Sequence, residues 1–298
     1  MYRCAAVRRD QGFTLIELIV SIAIVVVLAA ILFPVFIQAK EAARASVCLS
    51  NFRQVTFSMF LYQADYDDSY SLAKYSANDD ATSAQDHTWV QLVLPYSREF
   101  RLFRCPSDYS GWPESQAVFD EDVVPGDTYS RYYTASKRTN LGFNYLYLAP
   151  LVNRGGRVSA VSRTQSDVGD PANMLMFGDS VHEVDSAGHP HGGGSYLIIP
   201  PCRYATTGHL RDDTFMLNVP DSALYKPGLE WGSSDGQVAN VPTSAGGLWP
   251  WHSEKLTAAF SDGHTRRISI AQAVDGCNVK PDWQGYVYDR ARYIWDLQ

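Results

Sequence analysis

The sequence predicts an α+β protein in which one long N-terminal α-helix packs on an antiparallel β-sheet domain with long loops. Three observations predict it. Nearly all the continuous apolar character lies near the start, between Phe13 and Ala39. A one-faced helical pattern follows, to about Tyr66. Beyond that, short apolar runs are separated by polar stretches in a chain with 18 Tyr, 7 Trp, 21 Gly and 15 Pro, a composition suited to strands, turns and loops. The chain has 298 residues, 46% hydrophobic and 19% charged, which is enough to bury a core and unlike a disordered segment. Its formal charge of −7 argues against a general nucleic-acid binder, which would carry a basic face.

The first element begins behind a short basic leader. Residues 1–12 carry Arg3, Arg8, Arg9 and Asp10. From Leu18 to Ala39 there are 22 residues without a formal charge. At ~1.5 Å per residue a helix of this length crosses a hydrocarbon core of ~30 Å. The positive-inside rule keeps the leader in the cytoplasm and sends the rest of the chain across the membrane. A secretory signal peptide would have a shorter apolar run ending in small residues. Here Ala29 and Ala30 are followed by Ile31, Leu32 and Phe33, which extend the run. A simple signal anchor fits the length but leaves Glu17 unexplained. A charge at the centre of a membrane helix costs roughly 2.5–3.5 kcal/mol on insertion scales, and less near an end, where it reaches the interface.

The segment Gly12-Phe13-Thr14-Leu15-Ile16-Glu17 accounts for more. It resembles the processing site of type IV prepilins and type II secretion pseudopilins. The resemblance implies that a membrane prepilin peptidase cuts after Gly12 and N-methylates Phe13. A glycine suits such a site because the peptidase can approach its backbone closely. It further implies that the apolar helix is kept, anchors the subunit in lipid and later packs in a filament core. Glu17 would then pair with the free amine of Phe13 on a neighbouring subunit, acting in register and assembly rather than in catalysis. Pro34 removes a helix hydrogen bond, so a kink is expected there. The resemblance also implies bending or melting of the helix at this point in the filament.

The helical pattern continues from Gln38 to Tyr66. Cys48, Phe52, Val55, Met59 and Tyr62 form one apolar face, read as core packing. Asp65, Asp67 and Asp68 end it as a solvated acidic cluster without the spacing of an EF-hand calcium loop. Ser69 to Asp86 reads as a loop. Trp89 to Leu94 reads as a helical turn stopped by Pro95. Strands are expected at Gly142–Tyr147, Met174–Asp179, Ser195–Ile199, Leu256–Phe260 and Thr265–Ile270. The organisation is therefore a cleaved leader at 1–12, a transmembrane and assembly helix at 13–39, and a periplasmic or extracellular domain at 40–298.

Further landmarks are similar to those of a large bacterial pilin-like group. They are the helix end around Cys48, the run Cys105-Pro106-Ser107-Asp108, and His252 followed after nine residues by Asp262-Gly263-His264, an H-X9-DG pattern. Asp-Gly between apolar runs is also a plain hairpin signal.

Four cysteines remain after the leader is removed: Cys48, Cys105, Cys202 and Cys277. Across the membrane they face an oxidising compartment, and they allow three disulfide connectivities. Cys48–Cys105 with Cys202–Cys277 is the favoured pairing; its first bond would staple the helix to the domain. The scattered spacing, without CxxC, argues against a structural zinc site. Two histidine groups are candidate metal ligands. One is the pair His189 and His191 beside a glycine run. The other is Asp179, His252, Asp262 and His264, if their strands are neighbours. Against this, His252 and Asp262 would simply bond to fix a turn. No HExxH or phosphate-loop pattern occurs, and no enzyme or obligatory cofactor is expected.

The expected function is a structural subunit of a type IV pilus or a secretion pseudopilus. Its expected partners are the prepilin peptidase, an inner-membrane assembly platform, other pilin subunits and, before assembly, membrane lipid. It would lie in the bacterial inner membrane and then in a periplasmic or cell-surface filament. An alternative is a surface or glycan recognition module on a pilin stalk, with Trp231, Trp249 and Trp251 stacking on sugars. A further alternative is a tethered metal-dependent enzyme.

Overall fold

The computed structural model describes residues 14–75, 87–110, 132–154, 157–185, 187–202, 204–206, 209–210, 246–279 and 285–296. Gly12, Phe13, Trp231 and most of 205–247 lie outside them. The chain divides into two units, Met1–Ala43 and Arg44–Gln298. Helix α1 runs over Leu15–Asp65 and contributes to both.

In the first unit the helix is apolar on every side and covered on none. Its large side chains are exposed from 51% at Val20 to 73% at Ile16. An 18-residue stretch reaches a mean hydropathy of 3.1 with none of it buried. The helix is long and apolar enough to cross a membrane. The Ser21 hydroxyl donates to the Glu17 carbonyl at 2.7 Å, so this polar group is satisfied within the helix. Pro34 lies inside α1 without ending it.

In the second unit the pattern becomes one-sided. Cys48, Phe52, Val55, Met59 and Tyr62 are buried in the core, the face that the heptad-like spacing predicts. The helix stops at Asp65. Asp67 and Asp68 then take left-handed conformations, with φ of 51° and 58°, and the Asp68 N–H donates to the Gln63 carbonyl at 2.9 Å. The acidic cluster is thus a helix C-terminal turn.

The core of this unit is a five-stranded sheet. Its strands are β1 Leu141–Asn144, β2 Leu175–Asp179, β3 Leu197–Ile198, β4 Lys255–Phe260 and β5 Thr265–Ser269. They lie in the order β5-β4-β2-β1-β3. All neighbours are antiparallel except β1 and β3. The fold is α+β, as the sequence predicts. Gly142 of β1 pairs with Gly178 of β2. A Cβ on Gly142 would collide with Ile198 and one on Gly178 with Leu248, so the paired glycines let these side chains lie directly on the sheet. A second, four-stranded sheet joins His209–Leu210, Tyr204–Thr206, Tyr286–Val287 and Cys277–Asn278 in that order. A disulfide links Cys202 to Cys277, with Cα atoms 6.0 Å apart.

Several element expectations change, among them the loop expected at Ser69–Asp86, where Lys74–Tyr75 pairs as a short strand with His87–Thr88. The strand expected over Gly142–Tyr147 stops at Asn144, and Tyr145–Leu148 forms a helical turn. Every residue from 141 to 148 is buried, so apolar periodicity could not separate strand from helix there. The strand expected to reach Ile270 ends at Ser269, whose hydroxyl accepts the Gln272 N–H at 3.2 Å and starts a short helix, Ile270–Ala273. Helix α2 covers Trp89–Ser97 and passes through Pro95. Proline there forfeits one hydrogen bond near the helix end, where Arg98 N–H closes the last turn onto the Leu94 carbonyl at 2.7 Å. Helix α2 also places Trp89 in the core. Its ring stacks on Phe177 at 4.8 Å and meets Phe103 edge-on at 5.6 Å.

His182 is 9% exposed and packs under Gly192, whose carbonyl accepts from Arg138 Nη1 at 3.0 Å. Burial, then the charges of Arg138 and His191, push its pKa down to about 3. The unfolded chain takes up this proton near the ordinary value of about 6.5 and the folded chain does not. Stability from this residue is therefore complete above about pH 6.5 and declines as the pH falls toward 3. Denaturant unfolding of His182→Gln between neutral and acid pH should show a shallower decline than the parent chain.

Candidate functional site

The N-terminal end of α1 is held by its own side chains. Thr14 precedes the helix and Glu17 is its third residue. The Thr14 N–H and hydroxyl both donate to Glu17 Oε2, at 2.9 and 2.7 Å. The Glu17 N–H donates back to Thr14 Oγ1 at 3.3 Å. This is a capping box, which satisfies donors that the first turn of a helix leaves unpaired. Thr-x-x-Glu ahead of an apolar run is its sequence signature, so the pair is legible in the sequence although reading Glu17 as an assembly residue passes over it. The box also explains how the carboxylate is accommodated at the edge of an apolar helix.

A second constellation lies in the Arg44–Gln298 unit. Four buried side chains from four elements converge there: Cys48 of α1, Cys105 of the turn after Phe100–Phe103, Asp179 at the end of β2, and His252 in the turn before β4. Their candidate ligand atoms all lie within 4.8 Å of one another. The four residues are between 0% and 5% exposed. The Cys48 thiol lies 3.5 Å from Asp179 Oδ1, and Cys105 Sγ lies 3.3 Å from His252 Nε2. The Thr257 N–H donates to Asp179 Oδ2 at 2.6 Å, and its hydroxyl lies 3.5 Å from Cys48 Sγ.

Surrounding hydrogen bonds fix these positions. Asn140 Oδ1 accepts the Cys105 N–H at 2.9 Å, and Asn140 Nδ2 donates to Asp108 Oδ2 at 2.9 Å. The Asn140 carbonyl in turn accepts the Ser180 N–H at 2.7 Å, beside Asp179. Trp249 N–H donates to the Asp179 carbonyl at 2.9 Å, and Arg267 Nη2 donates to the His252 carbonyl at 2.8 Å. One asparagine therefore ties the Cys-Pro-Ser-Asp turn to the ends of β1 and β2.

The electrostatics follow from burial. Desolvation raises the Asp179 carboxyl to about 6, against the opposing pull of His252 and the Thr257 hydrogen bonds. The hydrogen bond with Cys105, together with burial, pushes the Cys48 thiol up. Burial also opposes ionisation of Cys105, but the hydrogen bonds with Cys48 and His252 outweigh it and hold this thiol below its ordinary value.

Several site expectations are revised. Cys48 and Cys105 are free thiols in the structure and not a disulfide. Their sulfurs are engaged by Asp179 and His252 respectively. Asp262 and His264 do not join Asp179 and His252. They sit at the tip of the β4–β5 hairpin, where His264 Nδ1 lies 2.6 Å from Asp262 Oδ1 and the His264 ring stacks on Phe260 at 4.3 Å. Gly263 turns the hairpin with φ of 95°, so Asp-Gly here does the work of a turn. The expected bond between His252 and Asp262 is replaced by the contact of His252 with Cys105. His189 lies beside Asp185 and His191 beside Glu183, on exposed side chains. Trp251 is buried and donates to the Ser180 carbonyl at 3.0 Å, so it is not an exposed stacking platform. That Cys48 and Cys105 lie with Asp179 and His252 escapes sequence reasoning, which looks for metal-ligand spacing in the cysteines and finds them 57 positions apart with no knuckle between them.

Residues 7–33 match the family model described as the prokaryotic N-terminal methylation motif. No curated protein and no solved structure matches the chain. The motif and the long exposed apolar helix support a type IV pilin-like chain.

Among the described residues no lysine or arginine forms an ion pair with Asp179. In the reduced, metal-free protein its raised pKa is a destabilising contribution. The contribution is absent below the unfolded value near 4, grows as the pH rises toward 6, and is complete above that. Asp179→Asn, which keeps the size and an acceptor for Thr257, should therefore raise the stability of reduced, chelator-treated protein at neutral pH. A gain of about 1–3 kcal/mol is expected in denaturant unfolding.

Proposed function

We propose that this chain is a structural subunit of a type IV pilus or a secretion pseudopilus. The observation that carries the proposal is the methylation motif at residues 7–33 leading into an uncovered apolar helix. A prepilin peptidase cuts the basic leader after Gly12 and methylates Phe13. The subunit waits in the inner membrane with its leader end cytoplasmic. An assembly platform then moves it into a periplasmic or cell-surface filament, where apolar helices pack against one another. Chemistry is performed on this chain and not by it.

In this reading Glu17 has two successive partners. In the single subunit its carboxylate is occupied by Thr14. In the filament it meets the Phe13 amine of a neighbour. A lone carboxylate in lipid is costly, so the cap lowers the cost of waiting, and the amine gives a reason to dock in one register. Pro34 supplies a point where the helix lacks one internal hydrogen bond and yields on packing.

Mass spectrometry of the N-terminus from producing cells should find a chain that begins at methylated Phe13. An intact Met1, or a cut beyond Ala30, rejects the proposal. Glu17→Gln and Glu17→Ala should both insert into the membrane. Both should enter filaments at least about tenfold less, the equivalent of ~1.4 kcal/mol per contact. Glutamine keeps an acceptor for Thr14, so normal incorporation of Glu17→Gln alone would reduce Glu17 to a helix cap.

A further inference from the structure

Cys48, Cys105, Asp179 and His252 are the densest group of metal-ligating side chains among the described residues. We propose that they bind one zinc-class divalent ion in a closed structural site that staples the Cys48 turn of α1 to the sheet. The inference stands apart from the filament reading, because it concerns only side chains of the Arg44–Gln298 unit.

The ligand chemistry fits. Two thiolates, an imidazole and a carboxylate are the nitrogen, sulfur and oxygen donors that zinc accepts in fours. Zinc bonds of about 2.0–2.3 Å in a tetrahedron place neighbouring ligand atoms about 3.3–3.8 Å apart. The contacts of 3.3 Å from Cys105 Sγ to His252 Nε2 and 3.5 Å from Cys48 Sγ to Asp179 Oδ1 already lie in that range. The remaining pairs are within 4.8 Å, so closure asks for small side-chain shifts. All four groups are buried, which leaves no open coordination position and marks a structural site rather than a catalytic one.

The surroundings fit as well. The Thr257 N–H orients the Asp179 carboxylate, Asn140 fixes the Cys105 backbone, and Arg267 holds the His252 carbonyl. Such outer contacts preset ligands for a metal. Two thiolates and a carboxylate around a divalent ion leave one excess negative charge, and the Arg267 guanidinium beside His252 offsets it. Binding releases the thiol protons to solvent.

The same two sulfurs could instead form a disulfide. That bond would take the thiol donor from Asp179, which keeps the Thr257 N–H, and the sulfur contact from His252. Losing a buried hydrogen bond costs free energy. A metal ion satisfies all four groups together, and this favours the ion over the bond. Metal ligation also protects thiols that face an oxidising compartment.

The test uses the full chain in detergent, reduced, stripped with a chelator and titrated with zinc or cobalt under anaerobic conditions. One ion should bind per chain. Cobalt should give intense tetrahedral visible bands and thiolate charge-transfer absorption. Zinc should raise the unfolding temperature. Cys48→Ser should abolish the charge-transfer signature or halve it. Should that variant not fold, His252→Gln and Asp179→Asn carry the test; each should weaken zinc at least about tenfold with an unchanged far-ultraviolet spectrum. Asp262→Asn, His264→Gln and the pair His189→Ala with His191→Ala should leave binding intact. The proposal is overturned if the folded reduced chain binds no stoichiometric ion or if binding is lost with the exposed histidines. It is equally overturned if protein taken from its own membrane carries a Cys48–Cys105 disulfide.

Discussion

A carboxylate with no exposed surface ends the central strand β2, and the nearby elements are arranged around it. Asp179 receives the Thr257 N–H from β4 and faces the Cys48 thiol on α1, while its carbonyl accepts from Trp249. An apolar residue at this position would make no such demands. A buried charge requires donors from several directions, so it specifies which strand, turn and helix face meet at the sheet. The proposed ion would give that requirement its fullest solution, since it neutralises the carboxylate and binds both cysteines and the histidine together.

Helix α1 carries two different surfaces on one continuous element. From Leu15 onward it is apolar around its whole circumference, which only lipid or other apolar helices can cover. From Ala45 onward a single face is buried. On that part of the helix Arg53 Nε donates to Thr265 Oγ1 at 2.8 Å, and Phe60 lies close over Gly263. The helix that would pack in a filament is therefore also part of the core of the folded domain.

The C-terminal landmark residues separate into two tasks. His252 turns inward to Cys105, with its backbone held to Lys255 by a pair of 3.0 Å hydrogen bonds. Asp262, Gly263 and His264 shape the opposite end of the same hairpin. The nine intervening residues contain strand β4, so in this chain the spacing spans one strand between the turn that faces the cluster and the turn that closes the hairpin.

Much of this was legible in the sequence. Charge, length and the Gly-Phe-Thr-Leu-Ile-Glu run determined the apolar helix and its processing motif, because hydropathy and short motifs are local properties. The spacing of Cys48, Phe52, Val55, Met59 and Tyr62 determined the buried face, because a helix maps sequence distance directly onto angle. Asp-Gly marked its hairpin for the same local reason. The strand ends at Asn144 and Ser269 were decided by capping and burial, which a fully apolar run does not display. Only the tertiary structure decided which of the candidate ligands meet. Strand order sets β2 beside β4 and brings Asp179 to Thr257, and it leaves Asp262 and His264 at a hairpin tip. The favoured pairing of Cys48 with Cys105 anticipates that these sulfurs meet, but that they meet as free thiols beside Asp179 and His252 is a three-dimensional fact that no spacing along the chain encodes.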